Sequence, residues 1–283
     1  MIYIIRNLIF IFFSCLFIIS CSNSNILTDI NLENTIQEKM KIALEMQDIK
    51  DYPKAVENFR EIVKLKDTPE HRVCLGCALL INCQYLDAIE EFSLAIKKYE
   101  ELSLNFRVNA FFGIVHSYIM TDQYKKAYEI AKNFYDVLDF SQLSTDEKIN
   151  SFMHLGKAEV GIGLYKDAIT HFKKALEIED RGFLYIGLSK ALYGDGQYKE
   201  ALEACNTAIS KEDSGRTRFG LAEIKWKTGD LFGALEEFKI AAIRVKQTPT
   251  AVYRTSEAEW IEEGLRIEER IKAVKRDIKN KIG

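Results

Sequence analysis

Proline is almost missing from this chain: three residues in 283, where average usage near 5% gives about 14. A chain that avoids the residue that breaks helices can run helix after helix, so collagen-like, proline-rich and many-turned all-β folds are poor readings. Excess positive charge is lacking too. Lys and Arg total 39 against 42 Asp and Glu, a net charge of −3, and no nucleic-acid partner is expected. The patterns Gly-x-Gly-x-x-Gly, Gly-x-x-x-x-Gly-Lys, Gly-x-Ser-x-Gly and His-Glu-x-x-His do not occur, which removes the usual dinucleotide, phosphate, esterase and zinc-protease signatures. The histidines, His71, His116, His154 and His171, stand at unrelated positions. Cys74-x-x-Cys77 with Cys83 has neither a βαβ context nor the second ligand pair of a zinc site. These thiols read as small packing residues, with a disulfide as the alternative in an exported chain. No cofactor, metal or catalytic residue is expected. What the chain does have is 47% apolar and 29% charged residues, the composition of a folded protein rather than a disordered one.

The first twenty residues differ from the rest. Met1–Ser20 carries one charge, Arg6, then an apolar run from Leu8 to Ile19 ending at Ser20-Cys21. This is the n-region and h-region of an export signal, and it is short for a bilayer core of roughly 30 Å. Ile18-Ile19-Ser20-Cys21 resembles the lipobox of bacterial lipoproteins. The resemblance implies cleavage before Cys21, whose thiol and amine then carry acyl chains, each worth roughly 0.8 kcal/mol per buried methylene. An uncleaved signal anchor is the other reading. Ser22 stands where lipoproteins kept at the inner membrane often carry Asp, which points to the outer membrane. The resemblance thus implies a bacterial cell-envelope protein, lipid-anchored, with its body in the periplasm or at the cell surface. Residues 1–20 are expected as signal and 21–32 as lipidated Cys21 plus a polar tether.

The body repeats one pattern six times. The alanines at 55, 88, 127, 168, 201 and 234 each follow an aromatic or Leu three residues earlier, and most precede another bulky residue four later, as in Tyr165, Ala168 and Phe172. Small residues recur twelve positions before them, as at Gly76, Gly156, Ser189 and Ala222, and glycines 163, 196 and 229 fall five before, where a tight turn must join two helices. This pattern resembles the tetratricopeptide repeat (TPR). The implied fold is all-α: a right-handed superhelical solenoid of about six helix pairs over residues 33–248, with a C-terminal capping helix over 249–283. Stacked repeats complete their cores only against their neighbours and need a polar end cap. The stripe Ile267, Ile271, Val274 and Ile278 serves that role, or docks on a partner. Three departures stand out: Val115 replaces a small residue, and Arg218 and Lys225 occupy usually apolar positions. Pro53, Pro69 and Pro249 are expected in first helical turns, and Ser144-x-x-Glu147 opens another helix as a capping box.

In this family the first helix of each pair lines a concave groove. The positions matched here include Phe112, His116, Met153, Lys157, Ile186, Lys190, Tyr193, Phe219 and Trp226. An apolar ladder flanked by charge suits a protein or peptide partner. The Lys/Asn clamp with which some members hold a C-terminal carboxylate is absent, because its position is apolar throughout. The expectation is a non-catalytic protein–protein interaction scaffold or assembly factor on a membrane. The alternative is a periplasmic ligand- or peptide-binding component partnering a transporter.

Overall fold

The computed structural model describes residues 25–137, 140–247 and 257–282, and within them every regular element is helical. Helix α1 (Asn25–Asp48) pairs with α2 (Tyr52–Leu65), and α3 (Pro69–Ile81) with α4 (Tyr85–Ile96). Helix α5 (Leu104–Met120) is followed by α6 (Tyr124–Val137). Then α7 (Thr145–Ile162) pairs with α8 (Tyr165–Ile178), α9 (Gly182–Gly194) with α10 (Tyr198–Lys211), and α11 (Gly215–Lys227) with α12 (Leu231–Gln247), and α13 (Glu257–Ile282) packs on α12. The chain forms two compact units that divide inside α5, the first reaching Ser117 and the second starting at Tyr118.

The sequence signals at helix ends have clear local causes. Pro53 lies in the first turn of α2 and Pro69 in that of α3, where the Thr68 hydroxyl accepts from the His71 N–H at 3.2 Å. Ser144 and Glu147 form the expected capping box on α7, and Ser214 with Thr217 forms a second on α11. Pro249, residues 1–20 and Cys21 lie outside the described residues. The expected tether over 21–32 is too long, because α1 already begins at Asn25. No glycine or proline interrupts residues 25–48, and the buried Ile36, Met40 and Ala43 anchor the helix, so extending it adds a hydrogen bond per residue with no new nucleus. The two longer repeat steps are absorbed by 3₁₀ turns at Tyr99–Glu101 and Phe140–Gln142 and by the lengths of α5 and α7.

All six joints between paired helices turn through one left-handed residue. Gly163, Gly196 and Gly229 have φ of 84°, 81° and 89°, and the equivalent Lys50, Cys83 and Asp122 have 64°, 59° and 56°. The last three turns use the residue that tolerates this backbone; the first three carry a side chain there at a cost of roughly 1–2 kcal/mol each.

Packing rests on a phenylalanine from the second helix of a pair. Phe92 on α4 is fully buried and faces both Gly76 on α3 and Gly113 on α5. Phe172 on α8 is held the same way between Gly156 on α7 and Gly187 on α9. A Cβ on Gly113 or Gly187 would overlap the ring. The fifth pair differs: buried Cys205 stands where Phe172 stands in the fourth, and a Cβ on Gly220 would meet only Ile186, at 3.8 Å. In the third pair the bulk has changed sides. Ala131 takes the phenylalanine position, while Val115 and His154 take positions occupied elsewhere by glycine; all three are buried.

The charged departures are also accounted for. Arg218 and Lys225 both donate to the buried Glu237, at 3.0 and 2.9 Å, and Arg218 grips Asp213 at 2.7 and 3.1 Å. Arg72, at the same repeat position in the second pair, repeats the arrangement with Asp67 at 2.6 Å and Glu91 at 2.7 Å. Cys74, Cys77 and Cys205 are free thiols. Burial pushes the Cys74 thiol up and that of Cys77 up to about 12, so both behave as small apolar side chains.

The contrast between glycines is testable. Gly187→Ala is expected to destabilise the chain by about 1–3 kcal/mol through overpacking of Phe172. Gly220→Ala should stabilise it by about 0.5–1 kcal/mol, the helix preference of Ala over Gly. Urea midpoints of the two variants would decide; equal shifts would contradict the interlocking read here.

Candidate partner-binding face

The predicted groove residues divide by unit and by exposure. Phe112 and His116 lie on α5 in the first unit, where Phe112 is buried and His116 half-buried. Phe112 is core rather than contact surface. In the second unit α7, α9 and α11 follow one another as first helices of their pairs, with α7 against α9 and α9 against α11. They carry Met153 and Lys157, then Ile186, Lys190 and Tyr193, then Phe219 and Trp226. Met153 and Tyr193 rest on the core built around Phe172, Leu188 and Leu221, and both keep part of their surface exposed, as does Ile186. Lys190 is exposed, and the Lys227 ammonium sits 5.5 Å above the Tyr193 ring. The structure thus brings Met153, Lys157, Ile186, Lys190 and Tyr193 together on one face, an apolar floor with cations above it.

Phe219 and Trp226 belong to a different arrangement. Both pack on the core of Phe238, Val245, Ile267 and Val274 that α12 shares with α13. The Trp226 indole N–H donates to Asp277 at 2.9 Å, and Arg270 lies 5.5 Å from its ring while pairing with Glu223 at 2.9 Å. The stripe Ile267, Ile271, Val274 and Ile278 therefore covers the end of the last pair. Helix α13 also takes the face that Phe219, Glu223 and Trp226 would offer a partner, so these two aromatics are engaged within the chain. Sequence reasoning does not single out Arg270 and Asp277. Their seven-residue spacing places them on one side of a helix, and that is the signal that could have found them.

Glu159 and Lys157, neighbours on α7, are further ionisable groups of the second unit held away from water to different degrees. Glu159 is buried and meets the His171 ring nitrogen at 2.8 Å, with Phe152 stacked on that ring and Tyr135 edge-on. This pair lies within an aromatic cluster with Phe140. Lys157 is crowded by side chains, and burial, with the cations Arg216 and Lys190 adding, pushes its amine down to about 7. Among the described residues no group of three or more His, Cys, Asp and Glu could hold a metal ion, and no helix is long and apolar enough to cross a membrane.

Lys157 carries a pH signature. Its amine titrates near 7 in the fold and near 10.5 in an exposed chain, so between these values the unfolded state binds more protons and stability rises with pH. Below about pH 7 both states are protonated and the burial cost is fully present. Lys157→Met should remove that slope, giving a urea midpoint that gains over wild type most at pH 6 and least near pH 10. Parallel midpoints across this range would show that Lys157 is solvated as an ordinary lysine.

No protein-family model and no curated protein matches the sequence. Solved structures do match in fold. A thermophilic TPR protein of Thermus thermophilus aligns with a TM-score of 0.56 and 18% identity over 73% of this chain and 98% of that one. PilF of Pseudomonas aeruginosa aligns at 0.53 and 13% over 85% and 99%. A Rap protein, in complex with Competence and Sporulation Factor, aligns at 0.53 and 16% over 85% and 76%. Paired helices, small residues facing buried rings and these likenesses together show that the chain has the tetratricopeptide-repeat fold.

Proposed function

We propose that this protein is a non-catalytic scaffold of the bacterial cell envelope, lipid-anchored through Cys21, that captures a protein or peptide partner on the first-helix face of its second unit. The observation that carries the reading is the partly exposed set Met153, Ile186 and Tyr193 beside Lys157 and Lys190. Apolar anchors rimmed by charge on adjacent rigid helices are the composition of a recognition surface. The sequence Ile18-Ile19-Ser20-Cys21 supports the anchor, and the TPR fold supports scaffolding by analogy.

The two halves are separately testable. A palmitate analogue fed to the producing bacterium should label the protein and fail to label Cys21→Ala; equal labelling would remove the anchor. Crosslinking of the full chain in membranes, followed by mass spectrometry, should give a discrete partner joined at this face. That product should be lost in Ile186→Glu and Lys190→Glu with the melting temperature little changed. A partner pattern indifferent to both changes would overturn the face as the binding site.

A further inference from the structure

We infer that the outer side of α13 lies on an anionic membrane surface, with Lys272, Lys275, Arg276 and Lys279 against the lipid headgroups. The inference goes beyond the proposed partner face and takes from that reading only the membrane address. Residues 270–282 hold six cations and one carboxylate, Asp277, in a chain whose overall charge is −3. Lys272, Lys275, Arg276 and Lys279 stand three, one and three residues apart, which sets them along one side of the helix. All four are exposed. The stripe Ile267, Ile271, Val274 and Ile278 holds another side of α13 against α12, so the cations are presented in fixed order along about 10 Å of helix.

The carboxylates nearby leave this side of the helix basic. Glu223 pairs with Arg270 at 2.9 Å. Asp277 accepts from the Trp226 indole at 2.9 Å and stands 3.9 Å from Arg276. Glu268 and Glu269, both exposed, lie about a turn before Lys272 and pair with none of the four cations. Lys272, Lys275 and Lys279 form no ion pair among the described residues. The negative end of the helix dipole accounts for Lys279 and Lys281, which lie in the last turn. Its influence fades within that turn and does not reach Lys272, Lys275 or Arg276. Like charges three and four apart on a helix repel, so the stripe is a cost that a sheet of negative charge removes. A protein partner would be gripped by an apolar centre ringed by polar groups, and no large apolar residue is exposed between Lys272 and Lys279. Lipid headgroups need no such centre, because each basic side chain is drawn separately to the surface potential. Ile282, exposed and seven residues after Lys275, adds one apolar side chain for the headgroup boundary. For a chain already tethered by acyl groups, this weak attraction acts as an intramolecular contact.

The test places the full chain in vesicles of phosphatidylcholine alone and of phosphatidylcholine with phosphatidylglycerol, and acetylates lysines with a water-soluble ester. Mass spectrometry then reads each lysine. Lys272, Lys275 and Lys279 should react at least about three-fold more slowly on the anionic vesicles, and high salt should abolish the difference. Lys125, Lys166 and Lys199, exposed on second helices of the same unit, report any general effect of the lipid and should react alike on both. Lys275→Glu with Lys279→Glu should remove the protection of Lys272 with the thermal melt little changed. Equal reactivity of the three stripe lysines on the two vesicles would overturn the inference. So would protection found in native membranes and absent from anionic vesicles, which would assign the stripe to an acidic protein. The same spectra report whether Cys21 carries acyl chains, so failure of the anchor and failure of the stripe are told apart.

Discussion

A phenylalanine ring clasped between two glycines is the contact on which the repeats depend. Phe92 and Phe172 each reach from the second helix of one pair to the first helix of the next, so the ring is shared between adjacent repeats. Because the interior is packed as densely as a crystal, the missing Cβ atoms at Gly76, Gly113, Gly156 and Gly187 matter as much as the rings they face. Each pair is incomplete alone, and the second helix carries the bulk while the first helix provides the space. This one-sided division of volume lets the same motif recur with little sequence identity, since any complementary pair of sizes satisfies it. Ala131 with Val115 and His154 shows the division inverted in sequence, and Phe238 under Ile267 and Val274 shows it completed by α13.

Charge is fitted into the same framework. Arg218 and Arg72 sit where apolar residues are usual, yet each is answered by an Asp before its helix and a Glu on the facing one. Breaking such a pair by removing one partner leaves a poorly solvated charge behind, which is far costlier than replacing the whole group by well-packed apolar residues. These networks therefore fix the pairing of specific helices more than they add stability.

Much of the fold was legible because its signals are local and repeated. The alanines at 55, 88, 127, 168, 201 and 234 mark every second helix, and Pro53, Pro69 and Ser144 mark helix starts through capping chemistry that involves only neighbours in the chain. The left-handed turns at Lys50, Cys83 and Asp122 were not legible, since the backbone there is imposed by the geometry of the joint and not by a permissive residue. The site was half legible. Repeat position alone selected Met153, Lys157, Ile186, Lys190 and Tyr193, but it also selected Phe112, which is core, and Phe219 and Trp226, which α13 covers. Position within a repeat says which way a side chain points; whether another element lies on it depends on contacts distant in sequence, such as Trp226 with Asp277.

Cys205 and Gly220 give the fifth pair a mechanical character of its own. Where the second and fourth pairs hold a ring between two glycines, here only Ile186 comes within 4 Å of where a Cβ on Gly220 would stand, although Cys205, Leu221 and Ile224 share one buried core, so sliding of one pair on the next meets no interlocked ring. The stiffness of a stack in series is governed by its softest layer. A pull between the two ends of the second unit would be taken up first between α10 and α11. That places the compliant joint immediately beside the pair that α13 holds shut, so strain reaching the C-terminal end is absorbed before it reaches the face on α7 and α9.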